Sequence, residues 1–302
     1  MTIFAALLSS TLAMAQVGPF TVPNPGGSAR VPKPALEGRE TKPRAAQQPF
    51  QQPVTRPALV NCYDLAANDP VAALSSADEA LTVKTGAERT DALGCRATAL
   101  LALERYAEAE TAFLTARDAL DGDDARGRAE YQAGAGIAAE GRAAYTTAVD
   151  HFAHAKALAK QAVDAQLAGR ISRDSAASLF KLGRKDDAAA ALAEARAALP
   201  VDPVTFTISA RAARLSNKLA EAQAFVEVAA RLDPLDVGIG LEAGLIAAMA
   251  GRDDAARKSW QSVIATAPQS AEAEQAKAWM ARLSAPLATP APAPAPTQKK
   301  PN

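Results

Sequence analysis

Only two cysteines, Cys62 and Cys95, occur in 302 residues, which excludes a disulfide-dense scaffold and any metal site built from four thiolates. Charge of one sign is not in excess either. The 33 basic side chains balance 33 acidic ones, so no global field draws the chain to nucleic acid or to an anionic bilayer. Aromatic residues make up 5%, and a core without large rings has to be closed by bringing backbones together, a task suited to the abundant alanine. Long apolar runs are missing beyond Met1 to Leu12, a stretch shorter than the roughly 20 residues a membrane-spanning helix needs.

The parts of a catalytic centre are missing as well. There is no Gly-x-Ser-x-Gly elbow, no Gly-x-x-x-x-Gly-Lys-Ser/Thr loop and no Cys-x-x-Cys, so no catalytic residue and no cofactor is expected. The two histidines, His151 and His154, lie three apart on one helix and could touch a single metal ion. Zinc wants three or four ligands, and a solvated pair on the outer face is the expectation. The run Gly238-Ile239-Gly240-Leu241-Glu242-Ala243-Gly244 has the look of a dinucleotide loop, yet no strand precedes it, and close helix packing accounts for its small residues.

Proline is unevenly spread. Nine of the 20 prolines fall between Val17 and Pro57, and that density leaves no room for helix and little to bury. Residues 16–57 are therefore expected to form an extended, solvated linker able to reach on the order of 100 Å. Before it, Met1 to Leu12 followed by Ala13-Met14-Ala15 has the form of a signal peptide, residues 1–15, cut after Ala15. Export to the periplasm or cell envelope follows, with no transmembrane segment in the mature chain. Residues 285–302, with Pro290-Ala291-Pro292-Ala293-Pro294-Ala295-Pro296 at their centre, form a second low-complexity tail.

Between the tails, in residues 58–284, only Pro70, Pro200, Pro203, Pro234 and Pro268 remain, each where one helix stops or the next begins. Three of them keep a constant interval (234 − 200 = 34, 268 − 234 = 34). Gly183, Asn217 and Gly251 repeat it, as do Ala188, Ala222 and Ala256, and Leu192, Val226 and Trp260. Small residue, helix end and bulky apolar residue all agree on the period, the mark of stacked helix-turn-helix units. Tyr106, Ala109, Phe113 and Ala116 carry the second-helix pattern upstream, and Ala148, Phe152 and Ala155 carry it again. In that second case Gly134 and Gly141 match the first helix, with about two extra residues expected in the turn. The chain resembles the tetratricopeptide repeat (TPR) proteins over roughly residues 55 to 285.

That resemblance implies an all-α, TPR-like solenoid of antiparallel helix pairs. A last helix from Ala271 to Leu283, polar at Glu272, Glu274, Gln275 and Lys277, would serve as the terminal cap. It also places Cys62 and Cys95 on neighbouring helices, and an even cysteine pair in an exported chain favours a disulfide closing a loop of 95 − 62 = 33 residues.

TPR proteins present the first helix of each unit to partners, which puts Arg128, Tyr131, Arg170, Arg173, Lys181, Arg211 and Arg214 on or near one wall. Leu241, Leu245 and Met249 add an apolar share. No acid is expected in the same stripe, the acids gathering on second helices instead. The function this implies is a non-catalytic interaction scaffold or adaptor of the cell envelope, whose basic groove takes an extended acidic protein segment or a C-terminal carboxylate. An accessory subunit of a cell-wall or polysaccharide enzyme is the alternative.

Overall fold

The structure, a computed structural model, describes residues 60–284; the expected signal peptide, linker and tail lie outside them. Thirteen α-helices run through the described residues. They are α1 (Val60–Asn68), α2 (Pro70–Val83), α3 (Gly86–Ala102), α4 (Tyr106–Asp118), α5 (Ala125–Gly141), α6 (Tyr145–Gln161), α7 (Ala165–Lys181), α8 (Lys185–Ala198), α9 (Pro203–Leu215), α10 (Leu219–Leu232), α11 (Val237–Met249), α12 (Asp253–Thr266) and α13 (Ala271–Ser284). They divide into two compact units, one ending at Ala198 and the other starting at Leu199.

The starts of the first helices are written in the sequence. Asp124, Asp164, Asp202 and Asp236 each accept a hydrogen bond from the backbone N–H three residues on, and Pro203 occupies the first turn of α9. These caps satisfy amides that the helix itself leaves open. At the other end of each first helix one residue takes a left-handed conformation, namely Glu104, Ala143, Gly183, Asn217 and Gly251. Arg184 N–H then reaches back to Leu179 O at 2.9 Å, closing the carbonyl end of α7.

The alanine that opens the second-helix pattern follows the left-handed residue by five positions every time, at Ala109, Ala148, Ala188, Ala222 and Ala256. The expected two-residue insertion is thus absent. Ala143, not Gly141, makes the turn between α5 and α6, and Gly141 is the last residue of α5. The departure from a strict period arises in longer helices, since α5, α6 and α7 each have 17 residues where α9 and α11 have 13.

Packing between paired helices depends on matching sizes across one contact. A Cβ at Gly136 would come within 2.8 Å of the Phe152 ring, and one at Gly244 within 2.2 Å of Trp260 Nε1. Where the second helix carries smaller Leu192 or Val226, alanine (Ala176, Ala210) stands in the glycine's place. Gly136 is therefore the glycine in register with the repeat, while Gly134 lies against Phe113 of the preceding pair. The rest of the core is mostly alanine, with Ala129, Ala139, Ala148, Ala155 and Ala159 all fully buried around Phe152, Leu167 and Ile171. Such close contact lets dispersion accumulate without large side chains.

Within each unit every helix packs on the next, and successive first helices also touch: α1 with α3, α3 with α5 and α5 with α7 in one unit, α9 with α11 and α11 with α13 in the other. Cys62 of α1 and Cys95 of α3 are joined as the disulfide, both fully buried. No helix of the described residues is long and apolar enough to cross a membrane.

Candidate partner-binding face

In the first unit the expected basic wall is of mixed charge. Arg173 Nε donates to Asp174 at 2.8 Å, and Arg126 lies 3.4 Å from Glu130 and 3.5 Å from Asp164. Burial raises the Glu130 carboxyl above its usual range, with Arg126 and Arg170 pulling the other way. Glu140 is raised too, again by burial, although Ser178 of α7 donates to it at 2.5 Å. Lys181, exposed at the end of α7, stands 6.0 Å over the Tyr145 ring.

Arg128 sits apart from this set. It lies one helical turn before buried Gln132, so the two share a face of α5, and its Nη1 donates to Gly122 O at 3.4 Å. Tyr131 instead exchanges a hydrogen bond with Tyr63 of α1, passing over α3 at Gly94. A Cβ there would meet the Tyr131 hydroxyl at 2.2 Å and the Tyr63 hydroxyl at 2.6 Å. Burial pushes both phenols above their ordinary value.

The second unit overturns the expectation that no acid shares the arginine stripe. Glu242 of α11 is buried, and its carboxylate takes Arg214 of α9 in a bidentate pair at 2.5 and 3.2 Å. Arg211 is 3.5 Å away from the same carboxylate. Sequence reading missed this because Glu242 sits inside a glycine-rich apolar helix, where its charge reads as surface. A buried carboxylate needs such partners. Leu241, Leu245 and Met249 are half-buried on α11.

The acids expected to face outward do so: Asp186, Asp187, Glu194, Glu221, Glu227, Asp253 and Asp254 are exposed on second helices. His154 is exposed as well, but His151 is not, with its side chain 14% exposed. Its Nδ1 lies 2.7 Å from Gln132 Nε2 and its Nε2 lies 3.2 Å from Glu110 Oε1. Arg117 donates to the Gln132 carbonyl, which turns the amide N–H₂ toward the imidazole. In this arrangement Nδ1 accepts from the amide and Nε2 donates to Glu110. Burial opposes the Glu110 charge, yet hydrogen bonds from Arg142 and His151 prevail and hold its carboxyl below the usual range. The network ties α4, α5 and α6 together. Among the described residues no group of three or more His, Cys, Asp or Glu side chains could hold a metal ion.

No protein-family model matches the sequence, and a search of curated proteins returned no match. Solved structures do match. PilW, a widely conserved type IV pilus biogenesis factor, aligns with a TM-score of 0.58 at 21% identity, covering 72% of this chain and 97% of its own. PilF of Pseudomonas aeruginosa gives 0.55 at 13% identity over 73% of this chain and 95% of its own. A chain of the APC/C hetero-tetramer Cut9-Hcn1 gives 0.60 at 13% identity over 75% of this chain and 42% of its own. Paired helices, a left-handed residue at each first turn and a small residue beneath each second-helix anchor give this chain the tetratricopeptide repeat fold.

Proposed function

We propose that the protein is a non-catalytic scaffold that binds an extended protein segment along the first helices of its repeats. The observation that carries this reading is the half-exposed apolar face of α9, α11 and α13, with Leu215, Leu245 and Met249 partly open to water on the helices that also carry the satisfied Arg214–Glu242 pair. A monomer gains nothing from leaving such side chains partly in water, whereas an apolar partner residue would bury them. In the first unit, Arg170 and exposed Lys181 suit a partner carboxylate. Arg173, Arg211 and Arg214 already have internal acids and are support rather than contact.

The N-terminal apolar run ending in Ala13-Met14-Ala15, together with the buried Cys62–Cys95 disulfide, supports work in an oxidising compartment such as the bacterial envelope. PilW is described as a type IV pilus biogenesis factor, and a role in assembly fits this chain.

The test is crosslinking capture from envelope extract with full-length protein carrying Lys181→Glu or Met249→Gln. Both positions end a helix and neither is fully buried, so helicity and melting should stay as they are. Each change should abolish capture of a partner by the unit that carries it. Retention of that partner by both variants would place its binding surface elsewhere.

A further inference from the structure

The first helices of the second unit repeat in register. Asp202, Asp236 and Ser270 each cap the backbone N–H three residues on, and they are 34 residues apart (236 − 202 and 270 − 236). Residues sharing that spacing take equivalent places on α9, α11 and α13. One row so defined is Leu215, Met249 and Leu283; the other is Arg211, Leu245 and Trp279. None of the six is fully buried, and Leu215 is 37% exposed. Because α9 touches α11 and α11 touches α13, the rows run across the helices as a ledge that is apolar but for Arg211.

Neighbouring helices lie about 8–10 Å apart, so the ledge presents an apolar side chain at that interval on all three helices in the first row and on α11 and α13 in the second. A polyproline II chain advances about 9 Å per turn of three residues, which matches the helix spacing turn for turn. This chain carries a segment of the composition that favours that conformation. Pro290 to Pro296 is nothing but proline and alanine, and every turn of it offers an apolar side. Six steps of polyproline II would span about 19 Å, the length of two helix intervals. It starts six residues after Ser284, the end of α13, next to Leu283 in the ledge itself.

We infer that Pro290–Pro296 docks across this ledge in its own molecule, with Trp279 and Met249 as the main contacts. The inference rests on the reading of this face as the binding surface, and it makes the tail an internal competitor for the partner. Proline and alanine contacts are weak, but a short tether supplies an effective concentration in the millimolar range, enough to populate a weak intramolecular complex. Fixed proline dihedrals reduce the entropy lost on docking. An external segment would then have to displace the tail, so only partners with larger apolar anchors would bind.

The test uses the full chain with Thr297→Cys bearing a nitroxide, selective because both native cysteines are in the disulfide. Methyl NMR is recorded on Met249 and Leu215. In partner-free protein both methyl signals should lose most of their intensity, and reduction of the nitroxide should restore it. Replacing residues 290–296 by alternating glycine and serine at the same length should also restore it. Signals that stay sharp, or broadening that survives the glycine-serine replacement, would overturn the proposal. So would broadening in an equal mixture of spin-labelled and isotope-labelled chains, which would mean a second copy supplies the tail. No partner is present in any arm, so the outcome is independent of whether Lys181→Glu or Met249→Gln abolishes capture.

Discussion

Small residues in this protein are set by what crosses them. At Gly244 an added methyl favours the helix by about 1 kcal/mol, but overpacking costs about 1–3 kcal/mol. Overpacking should win, because the Cβ would sit 2.2 Å from Trp260 Nε1, and that ring is held by a hydrogen bond to Leu241 O at 3.2 Å and by Trp279, 5.6 Å away between centroids. Gly244→Ala is thus expected to lower the urea midpoint. The opposite sign is expected at Val163, a β-branched residue held at φ 56° and 90% exposed. A left-handed conformation costs about 1–2 kcal/mol for such a residue, more than the added chain entropy of glycine. Val163→Gly should therefore raise the midpoint. The sequence showed Gly183 and Gly251 as turn residues through their period, whereas Glu104, Ala143 and Val163 carry no side-chain sign of a left-handed backbone. Only the packing of the helices on either side imposes it.

Elements are joined by polar contacts that no periodicity reveals. Gln132 is 2% exposed and links Arg117 of α4 to His151 of α6. Gln132→Leu keeps the volume but strands both partners, so a loss of about 1–3 kcal/mol is expected in chemical denaturation. Across α5 and α7 the pH dependence has a definite sign. Burial raises the Glu140 carboxyl, so a penalty on the folded state grows as pH rises above the ordinary glutamate range, is complete past the raised value, and is absent below that ordinary range. Glu140→Gln should therefore be more stable than the parent at neutral pH. Denaturation midpoints of the two should converge on acidification; a gap that persists at low pH would show that another interaction was lost.

At the scale of the whole molecule, the disulfide secures α1, a helix of nine residues that buries Cys62 and Ala66 fully and Tyr63 and Leu65 in part. Closing a loop of 33 residues stabilises by roughly 3–4 kcal/mol in the chain-entropy model. Paired Cys62→Ser and Cys95→Ser should lose most of that, and hydrogen exchange should show α1 opening first. The 34-residue period, the caps and the prolines were enough by themselves to determine the helix pairs, their order and the repeat type, because each depends on chain-local chemistry: a cap three residues from its amide, a small residue one turn from the next. The electrostatics of the face depended on tertiary contact. Arg211 and Arg214 are 31 and 28 residues from Glu242, and charges that are distant in sequence cancel only when two first helices lie side by side. A stripe of arginine looked basic along the chain, and the fold alone decided that Arg211 and Arg214 share the buried Glu242 carboxylate, beside apolar side chains half open to water.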